Sequence, residues 1–158
     1  MKSGQKNSES LRKIFARFAT GVAAITFSGK NNKFLGVTVN SYTSVSLEPP
    51  LVLWCLDKDS ELYDELIEKE NYVINFLSED QRSIAVHLAK KNNHSLDEVK
   101  HRIKGNNCVI EGVVGWISCS KVQTFDAGDH EIILGRVIDF NNNKRNPLIF
   151  WDSKYKSL

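Results

Sequence analysis

The chain has 158 residues, with 21 Lys and Arg against 19 Asp and Glu and a net charge of +2. That is the length of one domain with one core, and no basic block is dense enough to neutralise a run of phosphates, so nucleic acid is not an expected partner. The longest apolar runs, Leu51 to Leu56 and Tyr72 to Leu77, fall far short of the roughly 20 residues of a spanning helix. Because Met1-Lys2-Ser3-Gly4-Gln5 lacks a signal-peptide core, the expectation is a soluble cytoplasmic protein with no membrane partner.

Residues 1–10 are polar and are expected to form a flexible segment, ahead of a single domain over residues 11–158. Leu11, Ile14, Phe15 and Phe18 fall at i, i+3, i+4 and i+7. This spacing predicts an amphipathic helix to about Thr20, capped by Ser10 and stopped by Gly21, whose apolar face must dock on something. Val22 to Ser28 and Phe34 to Asn40 are β-rich runs joined by Gly29-Lys30-Asn31-Asn32-Lys33, a hairpin-loop composition. Leu51 to Leu56 is continuously apolar, as a strand covered on both faces would be.

Ser60 opens a helical stretch to about Lys69, and Tyr72 to Leu77 reads as another strand. Ser78-Glu79-Asp80-Gln81 is a capping-box pattern before a helix to about Lys91 with Ile84, Ala85 and Leu88 on one side. Ser95-Leu96-Asp97-Glu98 repeats the pattern before a short segment ended by Gly105-Asn106-Asn107. Val114 to Phe125 and Glu131 to Phe140 bracket Asp126-Ala127-Gly128-Asp129-His130, a hairpin with glycine where the turn is tight. About six or seven strands among few helices predict a mostly β barrel or sandwich rather than a βαβ array. Cys55, Cys108 and Cys119 form no C-x-x-C pair and are expected as reduced thiols.

Two stretches carry candidate chemistry. Thr38-Val39-Asn40-Ser41-Tyr42-Thr43-Ser44-Val45-Ser46 crowds hydroxyl and amide side chains directly after an apolar strand. Such a segment offers donors and acceptors to an anionic, hydrogen-bond-rich ligand; it is also the composition of a polar loop, since these side chains mimic turns. Leu56-Asp57-Lys58-Asp59-Ser60 has the same double reading. An Asp or Ser before a helix is a cap, and a helix N-terminus with a lysine and a serine beside it is an anion site.

His87, His94 and His101 stand seven apart, about 10.5 Å along any common helix and too far for one metal; they are expected at the surface, and no metal site is assigned. The absence of G-x-G-x-x-G after a strand, G-x-x-x-x-G-K-[ST], H-E-x-x-H and G-x-S-x-G removes the main support for Rossmann, P-loop, zinc-hydrolase and serine-hydrolase readings.

Taken with Glu48-Pro49-Pro50-Leu51-Val52, Asn75-Phe76-Leu77-Ser78, Asp126 to His130 and Gly135-Arg136-Val137, the first stretch resembles the flavin reductase family of the FMN-binding split barrel, the partners of two-component flavin monooxygenases. The resemblance runs from about Leu11 to Tyr155. It implies a Greek-key split β-barrel with a few peripheral helices. The implied activity is that of an NAD(P)H-dependent flavin reductase, passing hydride from NADH or NADPH to FMN or FAD and supplying a separate monooxygenase with reduced flavin.

By the same resemblance Thr38, Asn40, Ser41, Thr43 and Ser44 lie along the flavin ring edge and phosphate tail, and Cys55 meets the cofactor through its backbone. Leu56, Asp57, Lys58 and Ser60 form the turn for the flavin phosphate, with Lys58 supplying charge, while Phe76 and Ser78 close the strand that borders the ring. His130 is implied to face the nicotinamide side of the flavin, orienting rather than exchanging a proton, because hydride transfer needs alignment more than acid catalysis. A homodimer with flavin near its two-fold axis is implied as well. Relatives commonly end on an aromatic, Arg-Gly and then Tyr, whereas this chain reads Phe150-Trp151-Asp152-Ser153-Lys154-Tyr155. Tyr155 remains as a cofactor contact, the arginine does not, and NADH is the expected donor. The alternatives are a flavoprotein of the same barrel that retains flavin and passes electrons without oxidising NAD(P)H, and a ligand barrel with no redox role.

Overall fold

Alternation of apolar side chains over both faces of two central strands organises the molecule. A computed structural model describes residues 2–158, with side chains from Asn7 onward. Its elements are α1 (Lys2–Phe15), β1 (Thr20–Gly21), β2 (Ala23–Ser28), β3 (Phe34–Val39), β4 (Thr43–Leu47), β5 (Pro50–Asp57), α2 (Tyr63–Ile67), β6 (Asn71–Phe76), α3 (Arg82–Leu88), β7 (His101–Lys104), β8 (Asn107–Ile110), β9 (Gly115–Ala127), β10 (His130–Asn142), β11 (Ile149–Trp151) and β12 (Lys154–Lys156). A seven-stranded antiparallel sheet runs β3-β2-β6-β9-β10-β5-β4, flanked by a small β1-β11-β12 sheet and the β7-β8 hairpin. It curls into the expected mostly β split barrel.

On β2 and β6 successive side chains enter different cores. Ile25, Phe27, Tyr72 and Ile74 join Trp54, Leu56, Leu66 and Ile133 in one core. Ala24 and Val73 join Ala85, Leu88, Leu96, Val109, Ile110 and Trp116 in a second. The second core exists because α3 and β8 cover the outer face of these strands. Asn75 fixes that cover. Its amide donates to Ala24 O (3.1 Å) and Thr26 Oγ1 (2.9 Å), its Oδ1 accepts from the Ile110 N–H (2.9 Å), and Thr26 Oγ1 donates to Cys108 O (2.7 Å). Buried polar groups persist only when partnered in this way.

Several elements depart from the sequence expectation. The first helix occupies Lys2–Phe15 rather than Leu11 to Thr20: no proline or β-branched residue interrupts residues 2–10, so Ser10 lies inside the helix, and Thr20 and Gly21 pair with β11 instead. Its expected docking face is solvent-facing, with Leu11 50%, Ile14 64%, Phe15 66% and Phe18 79% exposed. β5 buries only Val52, Trp54 and Leu56, because nothing like α3 covers its other face. The helix expected from Ser60 begins at Tyr63 and lasts five residues.

At Ser78 the box forms, with Gln81 Oε1 accepting the Ser78 N–H at 3.1 Å, and leads through a short turn into α3. No helix follows Ser95; its Oγ accepts the Asp97 N–H (3.1 Å) in a turn, and the next residues form the β7-β8 hairpin. His87, His94 and His101 are half-buried rather than surface residues, each within hydrogen-bond distance of a backbone carbonyl, those of Ser95, Gly36 and Val99. The three cysteines are unbridged, and burial pushes the Cys108 and Cys119 thiols up to about 12.

The long β9-β10 hairpin shifts register on either side of Gly135. A Cβ there would overlap Tyr72 Oη and lie 3.3 Å from Cys119 Cβ. Gly135→Ala is therefore expected to cost about 1–3 kcal/mol by overpacking, and adding Tyr72→Phe should recover much of that loss. Urea midpoints of the two single variants and the double variant measure the coupling; strictly additive costs would show that the hydroxyl is not the obstacle. Asn75→Ala should cost about 1–3 kcal/mol in the same assay, since it leaves the buried Ile110 N–H without its acceptor. An unchanged midpoint would show that β8 is held by apolar packing alone.

Candidate functional site

A curled sheet has two edges, and here they are β3 and β4, consecutive in the chain and joined through residues 40–42. β4 pairs with β5 only as far as Leu53. Beyond it Ser41 stands in for a strand, its Oγ accepting the Cys55 N–H (3.0 Å) and donating to Cys55 O (3.2 Å). Past Ser41 the strands β3 and β5 part around a cavity of about 220 Å³.

That cavity brings together eight residues expected at the site: Thr38, Asn40 and Ser41 from the β3 side, Cys55, Leu56, Asp57 and Ser60 from the β5 side, and His130 at the mouth. Val37 and Val39 supply apolar wall. Three more cavities share residues of β3 with it, so one groove follows Val37 to Asn40. A lobe of about 180 Å³ adds Phe150 and Tyr155 to Thr38 and Asn40. An apolar lobe of about 400 Å³ reaches Thr43, Phe76, Tyr42 and Phe18; the rings of Tyr42 and Phe76 meet edge-on at 4.8 Å. A polar lobe of about 420 Å³ adds Asp59, Glu61, Lys91 and His94 to Asp57 and Ser60.

Ser44, Lys58 and Ser78 do not line this groove. Ser44 is exposed on the edge strand, paired with Val52. Ser78 is buried, its hydroxyl donating to Gly112 O at 2.8 Å. Lys58 turns to the β9-β10 turn, where its ammonium meets the Asp126 carboxylate and Gly128 O (2.8 Å). The Asp57 to Ser60 turn is braced internally, with Asp57 Oδ1 accepting the Asp59 N–H (2.9 Å) and Asp57 O the Ser60 N–H (3.1 Å). Thr38 Oγ1 donates to Ala85 O at 2.9 Å, tying the groove floor to α3.

His130 is half-exposed, with its Nδ1 2.7 Å from Asp129 Oδ1. The imidazole beside it, first by that hydrogen bond and then by charge, holds the Asp129 carboxyl below its ordinary range, and Arg12 adds to the effect. Burial raises the Cys55 thiol, opposed by Ser41, which leaves it a neutral wall of the groove.

His94 and Lys91 are groove residues that the sequence did not single out. His94 Nε2 lies 3.4 Å from Glu61 Oε2, and its Nδ1 lies 3.2 Å from Gly36 O. They reach the groove because Gly36 donates to His94 O (2.9 Å) and Leu96 to Phe34 O (3.1 Å). A pairing across nearly sixty residues leaves no local signal.

Hydroxyl and amide groups along one rim with valines behind them fit a flat, largely apolar ring with a hydrogen-bonding edge, as a flavin has. The cationic phosphate contact expected of Lys58 is engaged elsewhere.

The profile of the family "Flavin reductase like domain" matches residues 15–158. A Rhizobium meliloti protein named "Probable flavin reductase" is 40% identical over 139 residues, 87% of this chain and 45% of its own length. From the same organism, the stachydrine N-demethylase reductase subunit Stc3 is 35% identical over 149 residues, 94% of this chain and 65% of its own. The chain thus spans between about half and two thirds of the length of these curated relatives. The solved structure of the Streptomyces globisporus NADH:FAD oxidoreductase SgcE6, in complex with NAD and FAD fragments, superposes with a TM-score of 0.90 at 32% identity, covering 96% of this chain and 92% of that one. With the barrel, the groove and the matched residues in agreement, this chain belongs to the flavin reductase family.

Proposed function

We propose that this chain is an NAD(P)H:flavin oxidoreductase that takes NADH as donor and FMN or FAD as acceptor, and hands reduced flavin to a separate flavin-dependent monooxygenase. One observation carries the reading: the opening between β3 and β5 sets hydroxyl and amide side chains against a valine wall, with His130 at its mouth. A bound flavin supplies the ring that takes up a hydride. The chain's residues bind, orient and exclude. Asn40 offers both donor and acceptor to a ring edge, and Ser41, fixed by the Cys55 backbone, presents its hydroxyl at a set position. Val37 and Val39 keep one side dry. His130, steadied by Asp129, orients a nicotinamide at the mouth, where alignment of the reacting atoms matters more than proton exchange. Similarity to an NADH:FAD oxidoreductase supports the donor, and similarity to the reductase subunit of a demethylase supports a separate partner enzyme.

The working domain in this reading is residues 11–158, with residues 1–10 as an appended segment. Among the described residues no helix is long and apolar enough to cross a membrane, and a cytoplasmic site of action is proposed. A homodimer with flavin near its axis is proposed too. It is supported by the Leu11, Ile14, Phe15 and Phe18 stripe, which a second copy would bury, and by Phe18 lining the apolar lobe.

Titration of the apo-protein with FMN, FAD and riboflavin, followed by flavin fluorescence, tests the binding; a micromolar constant corresponds to about −8 kcal/mol and ready exchange. Stopped-flow bleaching of flavin absorbance by NADH tests the reaction, and its absence overturns the reading. Ser41→Ala should weaken flavin binding first. His130→Ala should leave flavin affinity nearly intact and slow reduction by about 1–3 kcal/mol in transition-state terms. Loss of flavin with normal reduction after resaturation would put His130 in the flavin cradle instead.

A further inference from the structure

We propose that Lys58 is a positioning residue for His130: it clamps the turn from Asp126 to Asp129 onto the end of β5 and so sets the imidazole at the groove mouth, rather than meeting a flavin phosphate. The inference rests on the proposed role of His130.

The β5-β10 ladder ends at the pair Asp57 and His130. Lys58 follows at once, and it carries the contact past the last rung three ways. Its backbone N–H donates to Asp129 O (3.0 Å), its ammonium donates to Gly128 O (2.8 Å), and the same ammonium pairs with the Asp126 carboxylate. One residue thus holds the first, third and fourth residues of the turn. Gly128 has φ +74, a left-handed conformation that lets the turn present its carbonyl to the lysine. Asp129, whose carbonyl Lys58 holds, is the residue whose carboxylate engages the His130 ring. The chain of contacts is continuous from Lys58 to the imidazole.

The competing role is poorly served by this geometry. An ammonium has three N–H groups, and two already serve Asp126 and Gly128. The Asp126 carboxylate, 81% exposed, cancels the charge a phosphate would seek, so phosphate capture by Lys58 would require breaking the clamp.

The test uses the full chain with Lys58→Met, Asp126→Asn and His130→Ala, plus Lys58→Met combined with His130→Ala. Dissociation constants for FMN and riboflavin, which differ by the phosphate, are measured beside the NADH dependence of flavin reduction and hydrogen exchange of the turn amides. Lys58→Met is expected to change the FMN-to-riboflavin affinity ratio by less than about twofold. It should also speed amide exchange in the turn and weaken the response to NADH about tenfold, part of the roughly hundredfold that a 1 Å misplacement of a reacting partner can cost. Asp126→Asn should reproduce this in part, and it keeps the test usable if Lys58→Met fails to fold. On the His130→Ala background Lys58→Met should add little, because the clamp acts through that ring.

A selective loss of FMN affinity with riboflavin binding retained would make Lys58 a phosphate ligand and overturn the proposal. So would a full additional loss in the double variant, or turn amides that exchange at the parental rate. A His130→Ala variant with unaltered NADH response would instead remove the underlying role of His130, an outcome readable apart from the exchange and affinity data.

Discussion

The groove depends on a pair of strand edges that approach and then fail to pair. Unpaired backbone at a sheet edge has to find partners, and β5 finds them in two ways. Its first half is zipped by β4, and at Cys55 the hydroxyl of Ser41 takes over both backbone groups. Because a side chain rather than a strand makes that contact, β3 is free to diverge. The divergence opens a cavity walled by Val37 and Val39 and rimmed by Thr38, Asn40 and Ser60. Ser41 is therefore both the end of the barrel's closure and the start of its binding site.

The rest of the fold holds those edges in place. β2 and β6 are buried on both faces, so β3, attached to β2, rides on the most deeply buried part of the sheet. Asn75 and Thr26 pin the β8 cover from beneath, and Thr38 is tied to Ala85 in the middle of α3. On the far side β5 is positioned by β10, whose hairpin with β9 is the longest pairing in the sheet and carries His130 at its tip. The flavin-facing and nicotinamide-facing groups of the proposed enzyme thus come from separate strands, and their spacing is set by the barrel rather than by any local motif.

Charge is distributed unevenly along this groove. Asp57, Asp59 and Glu61 gather at the polar lobe, answered by Lys91 and His94, while the opposite lobe is walled by Phe76, Tyr42 and Phe18. Such a gradient from apolar to polar along one channel suits an elongated ligand with a ring at one end and a hydrophilic tail. Membership of the flavin reductase family is consistent with that shape.

Local pattern was enough for much of this. The β-rich runs, the hairpin around Gly128, the Ser78 box and the clustering of hydroxyl and amide groups after β3 all follow from short-range periodicity and turn chemistry, which a single sequence carries in full. The motifs in order were enough for the family. What the sequence left open depends on contacts between distant segments. Whether the Leu11 to Phe18 stripe meets the barrel, whether Ser95 starts a helix or leads to a strand pair, and how His94 comes beside Glu61 are settled by packing between elements far apart in the chain. Lys58 is the sharpest case. Its neighbours in sequence make it a candidate anion ligand, and only the arrival of the β9-β10 turn, some seventy residues later, gives its ammonium nearer acceptors at Asp126 and Gly128.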